Sequence, residues 1–424
     1  MMQNKGREIP LGVALPIAQR IVGILQYLPE VNRLSIIGSV RRMKEIVKNI
    51  DLLVATKKRR DLIDFFSKLH FVERILVKDV FRISVIIDVG VMVNLHVVEP
   101  ENYLNALHYY TGNQEYMEKL REIANQWGLE LTRSGVFAKR YPTKLEIDEE
   151  RDIFDSLDLP YIPPELREGQ MALEAADSGK LPKLVETEDI KGDLHVHTSW
   201  SDGANSIEEM VETARAKGYQ YLAITDHSKS LVLARGLGEE RLTKQLQEIA
   251  VLNQNLKDFR ILTGIEVDIL ADGSLDFEDE ILESLDIVAA SVHTHFHQDK
   301  ETMTERITTA IKNKHVDILT HPTGRLLGRR YPYDLDFDQI LSTARKTETI
   351  LEINSSPDRL DLNDVHANMA KKEGIPLAIN TDAHGKDNLD YINFGVAVAR
   401  RAWLEASDVV NTLSLEELLK KLKK

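Results

Sequence analysis

The stretch that decides the fold of most of this chain is Gly192-Asp193-Leu194-His195-Val196-His197. It is a short, largely apolar segment of the kind that forms a buried strand, and it ends in two histidines separated by one residue. Side chains two positions apart on a strand point the same way, so His195 and His197 are expected to face one site. Asp202 follows in the predicted loop and brings a carboxylate close to them.

Six more segments after residue 200 have the same strand character, and helical patterns separate most of them. The predicted strands are Gly192–His197, Tyr221–Asp226, Ile261–Val267, Ile287–His293, Val316–His321, Ile350–Asn354 and Leu377–Asp382. The predicted helices are Ile207–Lys217, Arg241–Asn255, Thr302–Lys312, Phe337–Lys346 and Val365–Lys372, the first with a capping box formed by Ser206 and Glu209. Repeated strand–helix units predict a parallel sheet with right-handed crossovers, and seven units approach the eight of a TIM barrel. We therefore predict a barrel with one unit missing or distorted.

Metal-ligating residue types occur at the end of nearly every predicted strand. In a parallel barrel these ends form one rim, which is where active sites lie. Imidazole and carboxylate are ligands for Zn, Mn and Fe, and one ion takes about four to six ligands, so nine candidates predict two or three ions with a bridging carboxylate. The nine candidates are His195, His197, Asp202, His227, Glu266, His293, His321, Asp382 and His384.

The alternative is that these side chains are structural, since a single buried histidine is usually a hydrogen-bonded core residue. Six separate strand ends that each supply His, Asp or Glu argue against coincidence for the whole set. Other candidates are expected to be structural, solvent-facing or in support of the ligands; they are Asp226, Asp268, His295, His297, His315 and His366.

A metal cluster at a barrel rim suits hydrolysis of a phosphoester, because bound metals acidify water and neutralise phosphoryl oxygens. No serine or cysteine nucleophile motif stands near these strand ends, so a metal-bound hydroxide is the expected attacker and no catalytic residue beyond the ligands is predicted. Arg235, Arg325, Arg329 and Arg330 lie in the predicted loops and are candidates for gripping phosphates, or else solvated surface charge.

Composition sets broad limits on the whole chain. It has 424 residues, no cysteine and a net charge of −14, so disulfides and thiolate metal sites are excluded. Residues 1–150 carry 22 Lys and Arg against 19 Asp and Glu, whereas the rest carries 32 against 49, which suggests two domains with different roles. No apolar run is long enough for a transmembrane helix and the first residues do not form a signal peptide, so a cytoplasmic location is expected.

The first third of the chain has an α+β pattern. Residues 11–28 and 102–127 are predicted helical, the second broken near Gly112, and strands are predicted at 34–39, 50–54 and 91–98. Prolines from Pro160 to Pro164 interrupt helix and strand alike and mark a linker.

Several motifs resemble the polymerase-and-histidinol-phosphatase (PHP) superfamily from about Asp189 to the end of the chain. They are the run Asp193–Gly203, Thr225-Asp226-His227, Gly264-Ile265-Glu266, His293, His321-Pro322-Thr323-Gly324-Arg325 and Asp382-Ala383-His384. The resemblance implies a distorted seven-unit barrel with a trinuclear metal centre. Carried over by position, it implies the same nine ligands that the strand ends predict.

The front of the chain resembles the core of family X DNA polymerases, which has a nucleotidyltransferase-like palm. Gly38-Ser39-Val40-Arg41-Arg42 is similar to that family's triphosphate-binding turn, and Tyr109-Tyr110-Thr111-Gly112-Asn113 is similar to its nucleotide-contacting helix. Such a core followed by a PHP domain is the arrangement of bacterial PolX proteins. The implied division is palm 1–100, thumb 101–156, linker 157–190 and a (β/α)7 PHP barrel 191–424, without the family's N-terminal helix-hairpin-helix region.

Two of the three palm aspartates that hold magnesium in family X are replaced here. The matching positions are Asn49, Asp51 and Asn94, so the remnant of the polymerase site is Gly38, Ser39, Arg42, Asn49, Asp51 and Asn94. Neutral amides remove two negative charges from a two-metal site, and we therefore expect little magnesium binding and little polymerase activity.

The preferred hypothesis is a 3′→5′ exonuclease of DNA repair that acts through the PHP metals on single-stranded or gapped DNA, with manganese expected for activity and zinc or iron as alternatives. Cleavage at abasic sites is a related possibility of the same site. The other hypotheses are a gap-filling polymerase, a small-molecule phosphatase of the histidinol-phosphatase type, and a non-enzymatic DNA-binding scaffold.

Overall fold

The computed structural model describes residues 8–141 and 143–422. The chain forms two compact units, the first ending at Leu181 and the second beginning at Pro182. None of the helices in the described ranges combines the length and apolar character needed to cross a bilayer.

The first unit is built on a five-stranded sheet in the order β2-β4-β7-β6-β5, in which only the β4–β7 pair is parallel. Its strands are β1 Ile9–Pro10, β2 Arg33–Ile37, β3 Ile46–Val47, β4 Ile50–Ala55, β5 Val72–Lys78, β6 Arg82–Ile87 and β7 Met92–Val98, with β1 and β3 forming a separate pair. Its first helices are α1 Leu11–Leu25, α2 Gly38–Arg41 and α3 Arg59–Phe66. In β7 Val93, Leu95 and Val97 are buried, whereas Asn94 and His96 lie half-exposed on the other face.

The predicted break in the second long helical stretch is confirmed. Helix α4 covers Tyr103–Thr111 and α5 covers Gln114–Gln126, where the Asn113 side chain accepts a hydrogen bond from the Tyr116 amide at 2.8 Å. The remaining elements of this unit are β8 Leu129–Thr132, β9 Gly135–Ala138, β10 Thr143–Lys144, α6 Arg151–Asp155 and α7 Met171–Asp177. Strands β8 to β10 form an antiparallel sheet of their own.

The second unit is a nearly closed barrel of seven parallel strands, so the barrel prediction is confirmed. The strands are β11 Gly192–Val196, β12 Tyr221–Ile224, β13 Arg260–Asp268, β14 Ile287–Ser291, β15 Ile318–Leu319, β16 Ile350–Asn354 and β17 Leu377–Asn380. Their spatial order is their order in the chain. The first and last strands meet where the His197 amide donates to the Ala383 carbonyl at 2.9 Å, and the Asn411 amide group bonds to both strands.

Helices cover the outside of the barrel, and all five predicted ones are present. The α-helices described in this unit are α8 Ile207–Ala216, α9 Glu239–Asn255, α10 Asp279–Leu282, α11 Lys300–Ala310, α12 Phe337–Thr347, α13 Asp364–Lys372, α14 Ile392–Arg401 and α15 Leu415–Leu422, and the five predicted ones correspond to α8, α9, α11, α12 and α13. The capping box of Ser206 and Glu209 forms as predicted at the start of α8.

One end of the barrel interior is apolar and the other is polar. Side chains such as Leu194, Leu262 and Ile318 form a fully buried cluster, against which Leu415 and Leu419 of α15 pack. Burial of each such side chain contributes on the order of 1.5–3 kcal/mol, so this end acts as the core. The polar side chains are therefore left at the carboxyl ends of the strands, where the loops carry them.

Candidate metal centre

The carboxylate of Glu266, on β13, lies at the middle of the predicted ligand set. Its Oε2 is 2.8 Å from His227 Nδ1 and 3.6 Å from His197 Nε2. Its Oε1 is 2.9 Å from the Nε2 atom of His321 and 3.4 Å from those of His195 and His293. One buried carboxylate thus faces five imidazoles, as a bridging ligand would.

Two further carboxylates stand between the outer histidines. Asp382 Oδ1 is 3.1 Å from His197 Nε2 and 3.6 Å from His195 Nε2. Asp202 Oδ1 is 3.4 Å from His384 Nε2 and 3.6 Å from His227 Nε2. The nine side chains predicted from the sequence therefore lie together at one end of the barrel.

The ligand atoms form three groups, each with all atoms within 4.8 Å of one another. The groups are His197, Asp202, His227 and His384; His195, His197 and Asp382; and His227, Glu266 and His293. His197 and His227 each belong to two groups, so the groups adjoin. Three adjoining groups suit the two or three ions that the sequence predicts.

Several buried polar atoms of the cluster form no hydrogen bond within the described ranges, although His227 Nδ1 and Glu266 Oε2 lie 2.8 Å apart. They are His195 Nε2, Nδ1 and Nε2 of His197, His227 Nδ1, Glu266 Oε2 and His321 Nδ1. Buried polar atoms are almost always paired, because an unpaired one costs about 1–3 kcal/mol. Imidazole nitrogens and carboxylate oxygens are ligands of divalent transition metals, so the donor set fits such ions.

Carboxylates and burial shift the pKa values of the cluster in opposite directions at different residues. Burial opposes protonation of His195, but the carboxylates of Glu352 and Glu266 outweigh it and hold its pKa well above the ordinary value. Burial and the neighbouring His384 and His227 lower the pKa of His197 to about 3. Despite burial, which acts the other way, the histidines around Glu266 hold its pKa well below the ordinary value, so this acid stays an anion.

A second set of acids orients the histidines from behind. Glu352 Oε1 lies 2.7 Å from His195 Nδ1, and Asp268 Oδ1 lies 2.6 Å from His293 Nδ1. In both cases the Nε2 atom is left facing Glu266. A histidine that ligates a metal typically donates its other ring N–H to such an oxygen, which fixes its tautomer and orientation.

Glu352 was missed by the sequence prediction. It lies within β16, whose other residues are mostly apolar, and it is fully buried. A lone acid inside a buried apolar strand is the signal that could have found it, because a buried carboxylate needs partners.

The residues that we did not expect to ligate a metal range from buried to exposed in the structure. Asp226 accepts hydrogen bonds from the Thr198 amide at 2.8 Å and from Gln245, and so fixes the first loop of the barrel. His295 and His297 are exposed and His315 is half-buried. His366 packs on the Phe337 ring with centroids 4.2 Å apart.

The predicted arginines also differ from one another. Arg235 and Arg329 are exposed, the latter 3.4 Å from Asp358. Arg325 is buried and donates to the carbonyls of Arg359 and Leu360. These contacts hold the loop after β16 in place and turn the guanidinium toward the protein rather than toward a phosphate. Arg330 donates through Nε to the Gly324 carbonyl at 2.7 Å.

Arg359 is the arginine that reaches the cluster. Its Nε is 3.4 Å from Asp382 Oδ2, and its Nη1 is buried without a hydrogen-bond partner in the described part of the chain. The sequence prediction did not include Arg359, because it lies five residues beyond the end of the sixth strand and its direction depends on the path of that loop.

In the first unit, the polymerase-like residues lie around Asp51. Asp51 and Asn94 are paired in register on β4 and β7, and the Asn94 amide donates to Asp51 Oδ1 at 2.8 Å. Gly38 has a φ of 65°, and a Cβ there would lie 2.6 Å from Asp51 Oδ2, so the turn needs glycine. Ser39 and Asn49 are half-buried.

Arg42 is buried in this unit. Its Nε donates to Glu168 at 2.8 Å and its Nη1 donates to the Thr111 carbonyl at 2.7 Å. These contacts tie the turn after β2 to the end of α4. The guanidinium is thus engaged by the protein itself at the position that resembles a triphosphate ligand.

Comparison with known proteins agrees with both halves of this description. A family model described as DNA polymerase beta thumb matches residues 106–168, and a model described as PHP domain matches residues 193–356. A Bacillus subtilis protein named DNA polymerase/3′-5′ exonuclease PolX is 41% identical over 97% of this chain and 72% of its own length.

Other relatives match the second unit alone. A probable phosphatase of Thermoanaerobacter sp. is 31% identical over 55% of this chain and 95% of its own length. A probable phosphatase of Shewanella sediminis is 29% identical over 55% of this chain and 93% of its own length. The long match across both units, together with the thumb and PHP models, shows that the chain belongs to the PolX family, in which a family X polymerase core is joined to a PHP domain.

Proposed function

We propose that this protein is a metal-dependent DNA phosphodiesterase that removes nucleotides from 3′ ends in DNA repair. The observation that carries the proposal is the cluster around Glu266, in which several buried imidazole and carboxylate atoms face one another without forming a hydrogen bond among the described residues. The name of the Bacillus subtilis relative supports a 3′-5′ exonuclease activity in particular. Single-stranded and gapped DNA are the proposed substrates.

The nine side chains of the cluster would hold two or three divalent ions, with manganese the proposed ion for activity and zinc or iron the alternatives. Such ions supply water of lowered pKa and neutralise the negative charge that develops on a phosphoryl group. The role of Glu352 and Asp268 is to orient His195 and His293 through their Nδ1 atoms. Tightly fixed ligands matter because small misplacements at a reacting centre are costly.

Arg359 is the proposed contact for the phosphate itself. Its guanidinium lies beside Asp382 and one of its nitrogens is buried and unpaired within the described ranges. A planar guanidinium can donate two parallel hydrogen bonds to a phosphate. Arg235 and Arg329, which are exposed, remain candidates for phosphates farther along the strand.

The first unit is proposed to bind DNA rather than to extend it. The amide of Asn94 donates to Asp51 at the position where a second carboxylate would help to hold magnesium, and Asn49 is neutral as well. A site with one remaining carboxylate binds divalent ions weakly, and the polymerase reaction needs two. We retain the division into palm 1–100, thumb 101–156, linker 157–190 and PHP barrel 191–424 as part of this proposal.

The test is a nuclease assay with labelled single-stranded and gapped DNA in Mn²⁺. Release of mononucleotides from the 3′ end is expected, and His195→Ala should abolish it because His195 faces Glu266 and Asp382. Asp51→Ala is the control and should leave the rate unchanged. Intact DNA after incubation with protein whose metal content has been verified would overturn the proposal. An internal cut at an abasic site would assign the related endonuclease activity to the same ligands.

A second candidate is a phosphatase for small monoesters, which the probable phosphatases similar to the second unit favour. Phosphate release from histidinol phosphate in the absence of any action on DNA would support it. Primer extension in Mn²⁺ separates the polymerase alternative, and we expect no product or a trace.

A further inference from the structure

The two most exposed large apolar side chains in the described part of the chain lie in loops of the barrel. Leu233 is 97% exposed and Tyr331 is 93% exposed. Single exposed apolar residues are common on protein surfaces, so exposure alone carries no argument. Their position does, because each loop also carries a residue of the metal cluster: His227 precedes Leu233, and His321 precedes Tyr331.

The loop that carries Leu233 is held tightly to the barrel. The guanidinium of Arg241 donates to the carbonyls of Arg235 at 2.6 Å and of Trp200. The Ser230 amide donates to Asp276 at 2.6 Å, and the Ser230 hydroxyl donates to Asp268, the acid that orients His293. Leu233 is thus the tip of a fixed loop.

The turn that carries Tyr331 is fixed on both sides. Leu326 and Arg330 exchange two backbone hydrogen bonds of 2.9 and 2.8 Å, and the Arg330 guanidinium lies 3.9 Å from the centre of the Phe296 ring. On the other side, Tyr333 is buried and its hydroxyl donates to the Pro322 carbonyl at 2.9 Å. The ring of Tyr331 is therefore displayed to solvent from an anchored backbone.

The two tips stand on different sides of the metal cluster. Leu233 follows β12 and Tyr331 follows β15, which are the second and fifth of the seven strands in barrel order. Three strand intervals separate them in one direction and four in the other, so the loops rise from nearly opposite walls. The strand ends that carry the cluster lie between them.

We infer that Tyr331 and Leu233 contact unpaired nucleobases on the two sides of the phosphodiester that is cut. This inference rests on the proposed function and names what the site recognises in its substrate. An aromatic ring stacks on any base, and such a contact contributes about 1–3 kcal/mol per base without sequence preference. The exposed Arg329 near Tyr331 and the exposed Arg235 near Leu233 place positive charge where the backbone of the same strand would pass.

A protein partner fits these tips less well than a single strand of DNA. A stable protein interface buries on the order of 1,000 Å² or more in a continuous patch, whereas these are separate side chains on opposite loops. Paired bases are stacked within a duplex and present only their edges. The geometry therefore favours frayed or single-stranded 3′ ends over blunt duplex ends.

The test uses the full chain loaded with Mn²⁺ and a short single-stranded oligonucleotide with 2-aminopurine at the last or the penultimate position. A non-hydrolysable methylene phosphonate at the terminal linkage blocks cleavage, so fluorescence reports binding and stacking alone. Wild-type protein should change the fluorescence at both positions, one through Tyr331 and the other through Leu233. Tyr331→Ser should weaken binding about 30-fold, the middle of the range for one stacked base, whereas Tyr331→Phe should bind like wild type because it keeps the ring.

Two controls separate stacking from general damage. Tyr27→Ser, which removes another exposed tyrosine from the first unit, should have no effect on binding or fluorescence. An oligonucleotide with tetrahydrofuran in place of the contacted base should bind wild type and Tyr331→Ser equally. Leu233→Ser should reduce the signal at the other labelled position.

An unchanged fluorescence with wild type would overturn the inference, and so would equal affinities of wild type and Tyr331→Ser for the base-containing strand. These results are distinct from a failure of the proposed function. That failure would appear as an uncut phosphodiester oligonucleotide in the presence of Mn²⁺, whatever the fluorescence shows.

Discussion

Replacing Glu352 with glutamine tests whether the acids behind the cluster determine how it binds metal. The carboxylate of Glu352 is fully buried on β16 and faces four donors. Its Oε1 is 2.7 Å from His195 Nδ1 and 3.0 Å from Asn380 Nδ2. Its Oε2 is 2.7 Å from the His321 amide and 3.2 Å from Asn354 Nδ2.

The size of the effect follows from this arrangement. Glutamine keeps the shape but turns one acceptor into an NH₂ group, so two of the four donors would face another donor. A buried donor without a partner costs about 1–3 kcal/mol, and loss of an acid behind a metal ligand typically costs 10–100-fold in metal affinity. We expect Glu352→Gln to bind Mn²⁺ about 10–100-fold more weakly, with a lowered rate of DNA cleavage at fixed metal concentration.

Calorimetric titration of Mn²⁺ into metal-free protein measures the affinity, and circular dichroism checks that the variant is folded. Glu373→Gln is the matched control, since Glu373 is an exposed acid of the same unit that pairs with Arg345 at 3.2 Å. It should bind metal like wild type. Wild-type affinity in folded Glu352→Gln would refute the idea that this carboxylate fixes the ligand geometry.

Other predictions concern the first unit. Burial alone would raise the pKa of Glu150, but the guanidinium groups of Arg167 and Arg41 outweigh it and hold this pKa well below the ordinary carboxyl value. The ionised Glu150 therefore stabilises the fold fully above the unfolded pKa of about 4.3, and this stabilisation is lost as pH falls toward the lower folded pKa. We expect the thermal midpoint of this unit to decrease when the pH is lowered below about 4. Glu150→Gln leaves two guanidinium groups uncompensated and should destabilise the unit by about 3–5 kcal/mol at pH 7, measured by urea unfolding, whereas an unchanged midpoint would contradict this. Asn94→Asp replaces the hydrogen bond to Asp51 with two facing carboxylates, so the thermal midpoint should fall by a few degrees in EDTA and recover in Mg²⁺. If Mg²⁺ raises the thermal midpoint of Asn94→Asp no more than it raises that of wild type, the idea of a latent metal site is wrong.

The barrel was predictable because its signals are local. Each strand is a short apolar segment buried on both faces, and each ligand stands at a strand end, where one rule of parallel sheets brings them together. His195 and Asp382 are 187 positions apart in the sequence, yet their adjacency follows from strand order alone, and the structure brings their Nε2 and Oδ1 atoms to 3.6 Å.

The missed features depend on tertiary contacts that no local pattern contains. The edge strand β5, Val72–Lys78, is largely exposed, and its apolar residues do not alternate with polar ones as they do in a half-buried strand. Glu352 sits inside a strand rather than at its end, so a search of strand ends passed over it. The different environments of Arg325 and Arg359 are set by the loop after β16, whose path the sequence does not reveal.

The central claim is that the cluster around Glu266 is a metal centre with room for more than one ion. Its most direct test is the metal-to-protein ratio, measured by inductively coupled plasma mass spectrometry. The purified protein is first reconstituted with Mn²⁺, and unbound metal is removed. We predict two to three ions per chain for wild type and fewer for Glu266→Gln, which lacks the shared carboxylate charge. A ratio below one in wild type, or the same ratio in both proteins, would contradict the account.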